Sequence, residues 1–202
     1  MSGPQITVAR KSGTAAMLKR VVGLTKLSAY VGIPAATSKD RSAQLLGMAG
    51  KARGSKRQKR LQKAAQSDIN NAELLFVFSK GSPAHGQPPR NVLGPAVKAD
   101  GNRQPIEREL AAAAKATIDG KHEDAVKHTQ RAALAGQNAV RKWFTDSRNG
   151  WAPLADSTKA TRLRRMNKGQ RAKAIAEGNA AFTPGIDTGA MRAAIQGIVG
   201  AE

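Results

Sequence analysis

His85, His122 and His128 are the residues of this chain best suited to metal binding or proton transfer, and their surroundings argue against both. There is no cysteine in the 202 residues, and no carboxylate stands at zinc-ligand spacing from two histidines. His122 and His128 are six positions apart on an expected helix and do not share a face. Ser79, Ser82 and Ser157 lack a Gly-x-Ser-x-Gly setting, and no Gly-x-x-x-x-Gly-Lys phosphate loop is present. Asp187-Thr188-Gly189 has the letters of the aspartic-protease triplet. It follows Thr183-Pro184-Gly185 rather than an apolar strand, however, and it opens an Ala-rich segment. Asp187 is therefore expected to be a helix N-cap, with Ile186 and Met191 as its hydrophobic staple. The chain is expected to have no catalytic residue, no cofactor and no metal.

Charge is the stronger signal. The formal net charge is +20, from 34 basic and 14 acidic residues, with a pI near 11.2. So much like charge calls for a polyanion or an acidic protein surface. Residues 1 to 65 hold most of it, with Asp40 the one acid. Within that third, Lys51, Arg53, Lys56, Arg57, Lys59, Arg60 and Lys63 are dense enough to meet phosphates without reading bases, in a strongly salt-dependent way. Aromatic residues form 3% of the chain and none lies in this run, so base stacking is disfavoured. A second run, from Lys159 to Lys173, has seven cations with no acid among them, including Arg162, Arg164 and Arg165. It is expected to face DNA or an acidic protein ring. For both runs the plainer reading is a solvated surface that keeps the product soluble.

The elements that must carry these residues follow from apolar spacing. Ile6 and Val8 suit a short strand, and Met17, Val21, Leu24 and Val31 mark a helix over Thr14 to Val31, stopped by Gly32-Ile33-Pro34. Residues 35 to 70 hold so little apolar material that a basic flexible arm or insertion is expected. Leu74 to Phe78, apolar on both faces, reads as a covered strand. Pro83, Pro88, Pro89 and Pro95 then impose a shaped loop. Pro105 to Gly120 and His122 to Phe144 read as a helical hairpin lying on a sheet, with Pro105 at the first helical position and Gly136 at a close approach. A helix capped by Asp156 or Ser157 follows, and Ile195 to Val199 suits a closing strand. Trp143, Phe144 and Trp151 are read as packing at the hairpin end, or else as an interface anchor.

The organisation expected is one domain: residues 1–34 as an N-terminal strand and helix, 35–70 as the basic arm, and 71–202 as the α+β core. In fold class this is a small, mainly antiparallel sheet flanked by a helical hairpin and further helices. No apolar run reaches membrane-spanning length, and the N-terminus lacks the apolar segment of a secretion signal, so no membrane contact and a cytosolic product are expected.

Four phrases in order carry a resemblance: Ala72 to Ser82, Pro88 to Ala96, Trp151 to Thr158 and Asp187 to Arg192. They resemble the minor tail or neck proteins of tailed bacteriophages, also called tail-component, tail-completion or head-tail joining proteins. In that family the corresponding phrases are Ala-x-x-x-Glu-Phe-Gly-Ser/Thr, Pro-x-Arg-Pro-Phe-Leu-x-Pro-Ala, Trp-x-Pro-Leu-x-x-x-Thr and Asp-Thr-Gly-x-Leu-Arg. The likeness covers most of residues 71 to 199, with a fainter echo at Tyr30-Val31-Gly32-Ile33-Pro34. Two positions depart from it: Ser79-Lys80 replaces an acidic-aromatic pair, and Asn91-Val92 replaces Pro-Phe.

The resemblance implies a structural protein of the virion neck or tail, present in the host cytoplasm during assembly. It would join or complete the tail as a subunit of a homo-oligomeric ring, a hexamer or dodecamer, touching head-tail connector and tail proteins. Gly81, Ser82, Pro83, Pro88, Pro89, Arg90, Trp151, Pro153 and Leu154 are its candidate assembly contacts, Arg90 by bonding backbone carbonyls or a carboxylate. Non-specific contact with DNA is the further partner expected from charge. The rival reading is a free basic nucleic-acid-binding protein, nucleoid-like or ribosomal, which explains the arm but not the proline loop. A hydrolase comes third, with no site to support it.

Overall fold

A computed structural model describes residues 13–25, 27–34 and 40–201. The expected strand at Ile6 and Val8 lies outside the described residues. Among the described residues helix takes up 67%, and two antiparallel strands complete an α+β fold. The helices are α1 (Gly13–Thr25), α2 (Arg41–Gly50), α3 (Ser55–Ala65), α4 (Asn71–Lys80), α5 (Leu93–Lys98), α6 (Arg103–Ile118), α7 (His122–Trp143), α8 (Asp156–Arg165), α9 (Lys168–Glu177) and α10 (Ala190–Ala194). The strands are β1 (Leu27–Gly32) and β2 (Gln196–Ala201), paired so that Val31 faces Gly197 and Tyr30 faces Ile198.

The expected hairpin of α6 and α7 is present, turning at Gly120 with φ +78°, and the sheet lies on α7. The inward face of α7 is a strip of small residues: Ala125, Thr129, Ala132, Ala133, Gly136, Ala139 and Val140 recur at helical spacing and are buried. Small side chains let the backbones close up. A Cβ on Gly136 would stand 2.6 Å from Val31 Cγ2, and one on Gly197 would stand 2.1 Å from the Ala133 carbonyl oxygen. The Gln137 amide oxygen accepts from the Gly197 N–H at 2.9 Å, pinning β2 to the same helix.

The main core gathers Leu75, Phe78, Val92, Ala96, Val140, Trp143, Phe144, Met191 and Ile195, and Trp151 packs against it. A smaller core holds Leu45, Ala49, Leu61, Ala65 and Ala190. Helix α10 joins the two, because Ala190 belongs to one and Met191 to the other. Arg141 fastens this joint by donating to the carbonyls of Ala193 and Ile195, which closes the C-terminal end of α10.

Several expectations are corrected. Leu74 to Phe78 is helix rather than strand: Asn70 and Glu73 form a reciprocal capping box, with both hydrogen bonds at 2.9 Å. Only one side of that run is buried, since Leu75 and Phe78 are inside while Phe76 is 64% exposed. An apolar run this short has no periodicity that separates helix from strand, and the cap decides it.

The helix at the N-terminal side stops at Thr25, so Val31 belongs to β1, and Met17 and Val21 are exposed rather than inward. Residues 41 to 65 are not an extended arm. They form an α2–α3 hairpin whose inner residues, Leu45, Ala49, Leu61 and Ala65, suffice for a small core against Ala190. Arg41 and Ser42 close the C-terminal end of α3: Arg41 donates to the carbonyls of Ala64 and Ile69, and Ser42 to that of Ala65.

The proline loop gives way to helix at Leu93, with Pro95 tolerated in its first turn. Pro105 is likewise not the first residue of its helix, which starts at Arg103. Neither Asp156 nor Ser157 caps α8, whose N-cap is Ala155. Asp187 does not cap α10 either. Gly189, at φ +83°, holds that position, and the Ala190 N–H donates to Thr188 Oγ1. The closing strand expected at Ile195 to Val199 is present as β2.

Candidate functional site

Two regions bring sequence-distant candidates together. The first is the proline loop and its partner phrase. Gly81 leaves α4 at φ +79°, and a Cβ there would stand 2.7 Å from the Gln87 carbonyl oxygen, so only glycine fits this turn. Ser82 and Gln87 then pair as a two-residue antiparallel bridge, and Pro83 starts a single 3-10 turn to His85. Ser82 Oγ lies 2.9 Å from His85 Nδ1 on the exposed surface.

Arg90 is buried, with 4% of its surface exposed. Its Nη2 donates to the Ala152 carbonyl at 3.0 Å and its guanidinium lies 5.8 Å from the Phe78 ring centre. Burial lowers its pKa, by desolvation, from an already very high value. The Arg90 N–H donates to the Phe78 carbonyl at 3.1 Å.

On the other side, Trp151 Nε1 donates to the Asn91 carbonyl at 3.3 Å, and its ring meets Phe78 and Phe144 edge-on, at 5.3 and 5.6 Å between centres. The packing reading of Phe144 and Trp151 fits these contacts. Between the two segments lies a cleft of about 420 Å³, lined by Pro88, Arg90, Pro153, Leu154, His85 and neighbours. Pro83, Pro89 and Pro153 are exposed beside it.

The second region is basic. Lys56, Arg57 and Arg60 from α3 meet Arg164, Arg165, Met166 and Asn167 from the α8–α9 junction around a cleft of about 460 Å³. The two runs, a hundred residues apart in the chain, are thus one surface. Asp187 is the acid at its edge: one oxygen, Oδ1, accepts from Arg60 Nη1 at 3.2 Å and from Arg165 Nη1 at 3.4 Å. The Lys159 to Lys173 run, without an acid of its own, thus finds acidic partners outside it. Lys159 also reaches Asp156 at 3.0 Å and Lys173 reaches Glu177 at 3.7 Å, acids that flank the run rather than interrupt it.

Arg162 leaves the list of free cations as well. It is half-buried, donates to the Thr183 carbonyl at 3.0 Å, and has its pKa lowered, first by desolvation. Lys51, Arg53, Lys59 and Lys63 are exposed but do not line the cleft.

Arg90 bonds a backbone carbonyl as expected, but the wider use of arginine as an internal strut was not legible in the sequence. Arg20 closes the C-terminal end of α6 through the Ile118 carbonyl, while Arg148 grips Asp146 and also donates to the Asp100 carbonyl. That grip, led by the Arg148 side-chain hydrogen bonds, holds the Asp146 carboxyl down to about 2. A guanidinium satisfies several carbonyls at once, which a sequence shows only as charge. Among the described residues no group of three His, Asp or Glu side chains is placed to hold a metal, and no helix is long and apolar enough to cross a membrane.

No family model, no curated protein and no solved structure matches the chain.

Proposed function

We propose that this protein is a structural component of a phage virion, acting at the neck to join or complete the tail as one subunit of a homo-oligomeric ring, without catalysis. One observation carries the reading. The phrases behind the resemblance, remote in sequence, converge on a single cluster: Phe78 from the first, Arg90 and Val92 from the second, Trp151 from the third, and Ile186 and Met191 around the fourth. Such convergence is what a shared loop platform requires, since each phrase would otherwise have no reason to accompany the others. The loops it holds rigid, at Pro83, Pro89 and Pro153, stand at the surface where a neighbouring subunit can meet them.

The measurement that tests this is mass in solution and in particles. A ring subunit gives assemblies at multiples of 21.3 kDa and is found in purified virions. The second reading, a free basic nucleic-acid-binding protein, is favoured by the basic cleft. It calls for a monomer or dimer bound to DNA and for absence from particles.

A further inference from the structure

The basic cleft has a geometry that charge counting alone does not supply. Two guanidinium groups, from Arg60 and Arg165, converge within hydrogen-bond reach of one oxygen atom, Asp187 Oδ1. Arg60 Nε is buried and has no hydrogen-bond partner among the described residues. Lys56, Arg57 and Arg164 stand exposed around the same space, and among the described residues no carboxylate pairs with them. The first turn of α3 enters here with no acidic residue, and no side chain caps it, so its N–H groups add to the positive end.

We propose that this cleft is a binding site for the phosphate backbone of duplex DNA, with Arg60 and Arg165 held ready by Asp187 and with Lys56, Arg57 and Arg164 supplying the outer contacts. A tetrahedral oxyanion presents several acceptors to converging guanidinium forks, which suits a phosphate better than the two in-plane oxygens of an isolated carboxylate. The lining contains no aromatic ring, so stacking on single-stranded bases has no platform. Asn167, the one side-chain amide of the lining, has its Oδ1 committed to the capping box of α9, which leaves no side-chain amide acceptor of the lining free to read base edges. Recognition is therefore of the backbone and independent of sequence. Along α3, Lys56, Lys59 and Lys63 recur on one exposed face over about 10 Å and extend the track beyond the cleft. The site does not depend on the virion reading, since a free protein and a ring subunit would use it alike.

The test is binding of the full chain to duplexes of about 25 base pairs and unrelated sequence, followed by fluorescence anisotropy across a salt series. Comparable affinities for the duplexes are expected, with log K falling linearly against log salt at a slope of about −0.9 per phosphate contacted. The variant K56Q/R57Q/R164Q removes three exposed cleft cations. It should make the slope shallower by about 2 to 3 and weaken binding at least about tenfold at low salt. The control K80Q/K98Q/K142Q removes the same charge from exposed positions outside the cleft and should lose far less.

Equal losses in the two variants, no binding at low salt, or tighter binding to polyglutamate than to duplex would each overturn the proposal, the last in favour of an acidic protein partner. Because the protein is purified and no particles are involved, failure here leaves the neck reading standing, and the reverse holds too.

Discussion

Arg90 Nη2 lies 3.0 Å from the carbonyl oxygen of Ala152, sixty-two positions away in the chain, and so ties the proline loop to the Trp-Ala-Pro-Leu phrase. Removing it leaves that carbonyl without its charged donor and empties the space beside the Phe78 ring. Arg90→Ala is expected to cost about 1.5–3 kcal/mol in chemical denaturation. Arg90→Lys should recover only part of this, because an ammonium lacks the planar fork. On the neck reading proposed above, both variants should also be impaired in entering particles. Wild-type stability in the alanine variant would mean that the strut is unimportant.

The helical state of residues 71–80 separates two phenylalanines that a strand would have covered alike. Phe78→Ala should cost about 3–5 kcal/mol, whereas Phe76→Ala, at a position 64% exposed, should stay within about 0.5 kcal/mol. Similar losses at both positions would contradict the burial pattern of α4.

Two glycines in helices should respond in opposite ways to alanine. At Gly136 the new methyl meets the stiff Val31 side chain at 2.6 Å, so overpacking by about 1–3 kcal/mol outweighs the gain in helix propensity. At Gly47 nothing lies within 4 Å, and alanine should stabilise by up to about 1 kcal/mol. Thermal melts of the two single variants check the signs.

Asp146 should contribute to acid sensitivity. Its carboxyl titrates at about 2 in the folded chain, below the ordinary value of about 4, because Arg148 holds the charged form. A depressed folded pKa gives stability that is present above the unfolded value and is lost as pH falls from about 4 towards 2. Asp146→Asn should therefore remove part of the stability lost in that window and leave a flatter profile there. An unchanged acid limb, measured by denaturation between pH 5 and 2, would count against the pairing.

The hairpin of α6 and α7, the close approach at Gly136 and the closing strand could be read from the sequence, because periodicity, glycine and β-branched residues act locally and need no knowledge of the partner. The basic runs could also be read as charge. Their fate could not, because it depends on what lies opposite each side chain. Arg162 serves the carbonyl of a distant segment, while Lys56, Arg57 and Arg164 stand beside a cleft with no carboxylate partner among the described residues. The run from Leu74 to Phe78 was ambiguous by composition, and the Asn70–Glu73 cap together with the one-sided core settled it as helix. Asp187 illustrates the same division: its place before an Ala-rich helix is local, but its two arginine partners come from α3 and α8 and meet only when the chain has folded. Local propensity specifies elements, and long-range packing decides which of thirty-four cations are struts and which are available to a ligand.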